Sequence, residues 1–230
     1  MKIFADGADL KAISALAEKP YIEGFTTNPT LMSKAGVKDY TQFAHQALDL
    51  IGRRPISFEV VSDDADEMFR QARIIASWGD NVYVKIPITN SIGESSMPLL
   101  RRLVEAGIKT NVTAIMTLDQ VREAASVLAA GPSAYVSVFA GRIADTGRDP
   151  MPIMSEAVTL LRPHPQLELI WASPRELLNI VHASEIGCHV ITVTNDILAK
   201  LPMLGKDLDE YSLETVQMFF RDATQSGLDL

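Results

Sequence analysis

The 230-residue sequence is poor in three features that would each define a class of protein. Cys188 is its only cysteine, which excludes an internal disulfide bond. No uninterrupted apolar run is long enough to span a bilayer, and the N-terminal segment MKIFADGADL lacks the apolar core of a signal peptide. We therefore expect a cytoplasmic protein with no membrane partner.

Positive charges are also fewer than negative charges, and the formal net charge is −8 at pH 7. An acidic chain of this kind is a poor candidate for binding nucleic acid or an anionic membrane. An anionic metabolite is not excluded, because a few converging arginines can form a local positive pocket.

Several sequence motifs of common enzyme classes are missing as well. The chain contains no G-x-G-x-x-G after a strand, no G-x-S-x-G and no P-loop lysine motif. No two histidines have the spacing of metal ligands. We therefore predict neither a metal nor an organic cofactor.

Short β-rich runs alternate with longer amphipathic stretches about eight times along the chain. Helical patterns between them include Asp63–Trp78, Ser95–Ala106, Leu118–Ala130 and Pro174–Glu185. The predicted strands are Lys2–Gly7, Gly24–Thr30, Pro55–Val61, Asn81–Thr89, Thr110–Met116, Ala134–Ile143, Glu168–Ser173 and Cys188–Asn195. Alternation of this kind indicates parallel strands with crossover helices.

Eight such units predict an α/β fold, a (β/α)8 TIM barrel that forms a single domain over residues 1–230. The alternative is an open doubly wound sheet. A helical tail, about residues 206–230, follows the eighth unit and contains an amphipathic helix over Leu213–Thr224. That helix could pack on the barrel or on a neighbouring subunit.

Polar residues interrupt almost every predicted strand near its carboxyl end, although buried parallel strands are normally apolar. The interrupting residues are Asp6, Thr27, Asn28, Glu59, Lys85, Asn111, Thr113, Ser137, Arg142, Ser173, Arg175, Thr192 and Thr194, with Phe139 between two of them. Carboxyl ends are where barrel enzymes place their active sites. The shared position of these residues therefore predicts an active site.

Lys85 is the most informative residue of the set, because it lies between apolar neighbours in VYVKIP. Burial disfavours the charged form of a lysine, and a neutral amine attacks carbonyl carbon to form an imine. The alternative is an unreactive lysine that forms an ion pair with Glu59. Asp6 could deprotonate a substrate hydroxyl, and Glu59 with Thr113 could hold and activate a water molecule.

The remaining polar residues suit a phosphorylated sugar. Asn28 and Asn111 could bind hydroxyl groups. Arg142 and Arg175 have the planar guanidinium groups that bind phosphate, with Ser173 beside them.

Four segments together resemble the signatures of class I transaldolases. They are Phe25-Thr26-Thr27-Asn28-Pro29, Val84-Lys85-Ile86-Pro87, Asn111-Val112-Thr113 and Gly141-Arg142-Ile143. The resemblance runs from Asp6 to Arg175 and is closest to the short members, which include fructose-6-phosphate aldolase. It implies Lys85 as the Schiff-base lysine, Asp6 as the acid/base and Glu59 with Thr113 as the water-binding pair. It also implies substrate contacts from Thr27, Asn28, Asn111, Ser137 and Phe139, and phosphate contacts from Arg142, Ser173 and Arg175.

Two positions bear on the branch of the family. The resemblance associates Glu59 and Phe139 with transaldolases, whereas the aldolase type has glutamine and tyrosine there. Transfer of a dihydroxyacetone unit between a ketose phosphate and an aldose phosphate, as in the pentose phosphate pathway, is therefore predicted. The alternatives are a fructose-6-phosphate aldolase, a transaldolase for an unusual sugar and a non-catalytic sugar-phosphate-binding barrel. Short members form rings, so a homo-oligomer, a pentamer or decamer, is also expected.

Overall fold

The computed structural model describes residues 1–227, and its centre is a closed barrel of eight parallel strands. The strands follow chain order around the barrel, and the eighth pairs with the first to close it. They are β1 (Lys2–Asp6), β2 (Ile22–Thr26), β3 (Ile56–Glu59), β4 (Val82–Pro87), β5 (Thr110–Ile115), β6 (Ala134–Val138), β7 (Leu167–Trp171) and β8 (Val190–Thr194). The predicted (β/α)8 barrel is confirmed, and the open-sheet alternative is wrong.

Helices connect the strands and surround the barrel. They are α1 (Leu10–Ala17), α2 (Pro29–Lys34), α3 (Tyr40–Ile51), α4 (Ala65–Ala76), α5 (Met97–Glu105), α6 (Leu118–Leu128), α7 (Ala140–Asp145), α8 (Met151–Leu161), α9 (Leu178–Glu185), α10 (Asn195–Leu198) and α11 (Leu208–Ser226), with a short 3-10 helix at Leu201–Met203. Many begin at a side-chain cap; at α6, Thr117 and Gln120 form a capping box. None of the helices within residues 1–227 combines the length and apolar character needed to cross a bilayer.

Every second residue of a strand points into the barrel, because successive side chains point to opposite faces. Phe4, Tyr135, Ile170, Ala172 and Val190 form an apolar cluster in the interior. Gly24 on β2 leaves room for the Phe4 ring, since an added Cβ would lie 2.5 Å from ring atoms. The polar residues that were predicted to form an active site lie above this cluster, at the carboxyl ends of the strands.

Several predicted boundaries are corrected by the structure. The sixth run was expected to be a strand to Ile143, but β6 ends at Val138 and Arg142 lies on α7. In the turn from β6 into α7, position 141 requires glycine, because an added Cβ would lie 1.5 Å from the carbonyl oxygen of Ser173. The second strand ends at Thr26 rather than Thr30, because Asn28 caps α2.

The helix after the seventh strand begins at Leu178 rather than Pro174, so Arg175 lies in a loop. The expected helix over Leu213–Thr224 lies within the longer α11, and the expected tail includes residues 228–230, which are outside the described part. The additional C-terminal helix is thereby confirmed. Over its described length, Leu208–Ser226, α11 has no buried residue.

Candidate active site

A pocket of about 590 Å³ opens at the carboxyl ends of the strands. Half of the residues that line it were predicted from the sequence as site residues. The predicted side chains that line it are Asp6, Asn28, Glu59, Lys85, Asn111, Thr113, Ser137, Phe139, Arg142, Ser173 and Arg175. The barrel therefore brings together residues that are up to 169 positions apart in the sequence, from Asp6 to Arg175.

Lys85 lies on β4 with its side chain 8% exposed, and its ammonium group contacts Glu59 on β3 and Thr27 just after β2. Its Nζ lies 3.2 Å from Oε2 of Glu59 and donates a hydrogen bond of 2.9 Å to the carbonyl oxygen of Thr27. Glu59 and Lys85 are register partners on β3 and β4, which places both side chains on the inner face. The ion pair that the unreactive alternative requires is thus present, but it faces a pocket large enough for a ligand.

Asp6 presents a partly buried carboxyl group at the end of β1. Burial raises the pKa of Asp6, while the Lys85 charge and the Thr26 hydrogen bond oppose the rise and Glu59 adds to it. The Thr26 hydroxyl donates to Oδ1 of Asp6 at 2.7 Å. The carboxyl group therefore binds its proton more tightly than an exposed aspartate does, which suits a group that must accept and return a proton.

Thr26 and Thr192 form a hydrogen-bonded chain to Asp6. Their hydroxyl oxygens lie 2.5 Å apart. Because Thr26 has one hydroxyl hydrogen and uses it on Asp6, Thr192 must donate to Thr26. Both threonines line the pocket. Thr192 is one of the polar residues that interrupt the predicted strands, but neither threonine was predicted to have a role in the site.

Thr113 presents a buried hydroxyl beside the pocket. Its Oγ1 has no hydrogen-bond partner within the described part of the chain, a state that costs about 1–3 kcal/mol. The next residue, Ala114, has a φ of 61°, in the left-handed region that non-glycine residues avoid. The pairing of β5 with β6 shifts register at this point. Such strain at a pocket wall is typical of a functional site.

Asn111 is oriented by two serines. Its Nδ2 donates to Oγ of Ser57 at 2.9 Å, and Oγ of Ser137 donates to its Oδ1 at 2.6 Å. The amide therefore has one fixed orientation. Ser57, on β3, is a further residue that the sequence analysis did not select.

Thr27 is the one predicted site residue whose side chain does not line the pocket. It is fully buried, and its hydroxyl donates to the carbonyl oxygen of Ser57 at 3.0 Å. Since successive side chains alternate, Thr26 rather than Thr27 faces the interior. Asn28 lines the pocket, and its Oδ1 accepts from the backbone N–H of Leu31 at 2.9 Å to cap α2.

The two predicted arginines lie on neighbouring βα segments. Arg142 on α7 lies with its guanidinium carbon 5.9 Å from the centre of the Phe139 ring. Arg175 lies two residues after Ser173, whose φ of 60° is also in the left-handed region. Gly141 has no side chain and so allows the two segments to approach closely. We call Arg142, Ser173 and Arg175 the arginine corner of the pocket. Among residues 1–227, no three His, Cys, Asp or Glu side chains are grouped as a metal site would require.

A closed α/β barrel with a buried lysine and two carboxylates at its carboxyl-end pocket has the architecture of a barrel enzyme. Comparison with known proteins gives the family. A family model described as transaldolase/fructose-6-phosphate aldolase matches residues 3–230. The chain therefore belongs to the transaldolase/fructose-6-phosphate aldolase family, and it is a transaldolase-type enzyme.

Individual relatives agree with this assignment. A probable transaldolase of Streptococcus equi subsp. zooepidemicus is 36% identical over 202 residues, 87% of this chain and 90% of the relative. A probable transaldolase 2 of Listeria monocytogenes is 34% identical over 215 residues, 92% of this chain and 94% of the relative. The structure of a mandelate oxidase variant superposes with a TM-score of 0.56 at 14% identity, covering 84% of this chain and 64% of the other, and shows the fold alone.

Proposed function

We propose that this chain is a cofactor-independent class I transaldolase. It transfers a dihydroxyacetone unit from fructose 6-phosphate or sedoheptulose 7-phosphate to an aldose phosphate through a Schiff base on Lys85. The observation that carries the proposal is the position of the Lys85 amine, 3.2 Å from the Glu59 carboxylate in a pocket that also contains the partly buried Asp6. Such a reaction belongs to the pentose phosphate pathway, and we place it in the cytoplasm.

Imine formation begins at Lys85. Glu59 takes a proton from the ammonium group, and the neutral amine attacks the C2 carbonyl carbon of the ketose. The resulting carbinolamine loses water to form the iminium ion. Glu59 and the unpaired hydroxyl of Thr113 are placed to hold the water that leaves here and returns in the final hydrolysis.

Carbon–carbon cleavage requires a base at the C4 hydroxyl. Asp6 removes that proton, the C3–C4 bond breaks, and its electron pair moves into the iminium to give an enamine. The shortened aldose departs as an aldehyde. Addition to an acceptor aldehyde reverses these steps, with Asp6 returning its proton to the new hydroxyl oxygen. The imine is the electron sink throughout, so the chemistry requires neither metal nor organic cofactor.

Substrate hydroxyls and phosphate have separate partners. Asn28, Asn111 and Ser137 lie along the pocket wall and bind hydroxyl groups. The arginine corner binds the phosphate, because guanidinium groups donate paired hydrogen bonds to phosphate oxygens. Phe139 contributes a ring without a hydroxyl, so it offers no proton to an enamine and favours transfer over release of free dihydroxyacetone.

Incubation of fructose 6-phosphate with and without erythrose 4-phosphate tests this function. We expect sedoheptulose 7-phosphate and glyceraldehyde 3-phosphate when the acceptor is present, and little free dihydroxyacetone when it is absent. Products are measured by mass spectrometry and a coupled assay for glyceraldehyde 3-phosphate. Rapid release of dihydroxyacetone without acceptor would instead assign the aldolase reaction, and reaction only with other donors would assign an unusual sugar.

We also propose that the chain forms a homo-oligomer through α11. Phe219 and Phe220 are 61% and 73% exposed, next to Val216 at 59%. Burying these two phenylalanines at an interface would contribute about 3–6 kcal/mol for each subunit to the free energy of association. A second copy of the chain is the expected cover, as in the rings that short members of the family form.

Replacing Phe219 and Phe220 together with aspartate should convert the oligomer to monomer, because two charges would be buried at the interface. Size-exclusion chromatography with light scattering measures the mass directly. Gln225→Asp adds one negative charge on the opposite side of α11 and should leave the oligomer intact. A monomeric wild-type chain at micromolar concentration would contradict the proposal.

A further inference from the structure

Asp145, at the last position of α7, contacts the arginine corner from outside the pocket lining. Its Oδ1 accepts from Nε of Arg175 at 3.0 Å, and its Oδ2 accepts from Nη2 at 2.5 Å. The hydrogen bonds with Arg175 lower the pKa of Asp145, and the nearby charge of Arg142 lowers it further. Asp145 is therefore ionised throughout the neutral range.

The corner needs such an anion because it brings two permanent positive charges together. Arg142 and Asp145 share one short helix, three residues apart, whereas Arg175 comes from the loop after β7. Asp145 on α7 pairs with Arg175 from the loop, and its negative charge compensates one of the two positive charges. It also ties the two segments to each other.

Arg175 depends on this contact for its position. It lies outside regular secondary structure, between buried Pro174 and exposed Glu176. The Oδ1 of Asn179 accepts from the backbone N–H of Arg175 at 2.8 Å and so fixes the main chain. Asp145 is the partner that fixes the guanidinium.

The pair leaves Arg175 able to bind a second anion. A guanidinium has five N–H groups in a plane, and the side-on contact uses one on Nε and one on Nη2. Three N–H groups stay free of Asp145, two on Nη1 and one on Nη2. A phosphate does not have to displace the carboxylate, so Asp145 acts on Arg175 as an anchor and not as a competitor.

We infer that Asp145 is a positioning residue for phosphate recognition, which holds the Arg175 guanidinium beside Arg142 and Ser173 at the pocket wall. This inference rests on the proposed phosphorylated substrates. Asp145 itself does not touch the phosphate in this arrangement. Its effect on binding is exerted through Arg175.

Binding of glucitol 6-phosphate tests the inference, because this ligand has a phosphate but no carbonyl group and cannot form an imine. Isothermal titration measures its Kd for wild type, Asp145→Asn and Asp145→Glu. We expect Asp145→Asn to weaken binding by about 5- to 30-fold, because an amide oxygen holds Arg175 by a weaker, uncharged contact. Asp145→Glu restores the charge and should recover most of the affinity.

Asp119→Asn is the matched control. Asp119 also pairs with an arginine, Arg122 at 2.6 Å, but on the outer surface of α6. This variant should bind glucitol 6-phosphate as the wild type does. Unchanged or tighter binding by Asp145→Asn would overturn the inference, as would a wild-type chain that does not bind glucitol 6-phosphate.

Failure of the proposed function has a different signature. Borohydride trapping of the wild-type chain with fructose 6-phosphate, with the adduct assigned by peptide mapping, reports on the Schiff base at Lys85. If glucitol 6-phosphate binding is weakened by Asp145→Asn but fructose 6-phosphate gives no adduct, the positioning role is retained and the Schiff-base mechanism is lost.

Discussion

Replacement of Lys85 with methionine should abolish the transfer reaction, with kcat/KM for fructose 6-phosphate and erythrose 4-phosphate reduced by roughly 10⁴-fold or more. Methionine matches the length and apolar stem of lysine but has no amine to form the imine. The same change should remove the covalent adduct that borohydride and fructose 6-phosphate form. Intact-protein mass spectrometry detects the adduct, and peptide mapping assigns it to a residue.

Lys109→Met is the control for this experiment. Lys109 immediately precedes β5, at the opposite end of the barrel, and its Nζ donates to the carbonyl oxygen of Asp80 at 2.7 Å. That variant should keep both turnover and the adduct. An adduct that persists in Lys85→Met, or turnover within tenfold of wild type, would contradict the proposed mechanism.

A loss of activity must also be separated from a loss of fold. Lys85 and Glu59 form a pair with side chains only 8% and 17% exposed, so removing the cation leaves a nearly buried carboxylate without its partner. Breaking such a pair is strongly destabilising when the charge has no access to water. The double variant Lys85→Met with Glu59→Gln removes both charges. It should unfold at a higher temperature than Lys85→Met and be equally inactive.

The barrel could be predicted from the sequence because its two strongest signals agree. Strands and helices alternate eight times, and polar residues recur at the carboxyl ends of the strands. The second signal depends only on position along each strand, so residues as different as Asp6, Lys85 and Ser173 could be assigned to one pocket. Closure follows from the number of units.

Boundaries were less predictable, because they depend on contacts between distant segments. Nothing local in Phe139-Ala140-Gly141 shows that Gly141 meets the carbonyl of Ser173, 32 positions later. The contact belongs to the turn from β6 into α7, the helix on which Arg142 lies.

The face of a strand, and not its length, decides which side chain lines the pocket. Gly24 lies against the Phe4 ring in the barrel interior, so Thr26 also faces inward and Thr27 is buried in the wall. Asp145 could not be selected from the sequence, and Thr192 could not be given a role, because each acts through another residue. Their importance is visible only once Thr26 and Arg175 are in place.

Asp6→Asn should slow carbon–carbon cleavage by roughly 10²–10⁴-fold, the usual contribution of a positioned acid/base group. Asparagine preserves the oxygen that accepts from Thr26 but cannot take a proton from the C4 hydroxyl. Imine formation does not use Asp6, so the borohydride adduct at Lys85 should persist. An Asp6→Asn enzyme that cleaves at the wild-type rate would remove this residue from the mechanism.

The same substitution should stabilise the fold at neutral pH. Because burial raises the pKa of Asp6, the folded state binds this proton more tightly than the unfolded chain, whose value is near 3.8. The protonated group makes its full contribution to the free energy of unfolding when the pH is below the unfolded-state pKa. This contribution is lost as the pH rises through the raised pKa of the folded state. Asparagine cannot ionise and avoids this loss.

Thermal unfolding at pH 5 and pH 8 measures the effect on stability, and Asp63→Asn gives a control of opposite sign. The Asp63 carboxylate accepts from the hydroxyl and backbone N–H of Ser91, which lower its pKa, so its loss should destabilise the chain at both pH values. The difference in unfolding temperature between Asp6→Asn and wild type should be at least as large at pH 8 as at pH 5. A less stable Asp6→Asn chain at pH 8 would mean that attraction to Lys85 outweighs burial, so that Asp6 is an ordinary ion-pair partner with a pKa too low for its proposed role.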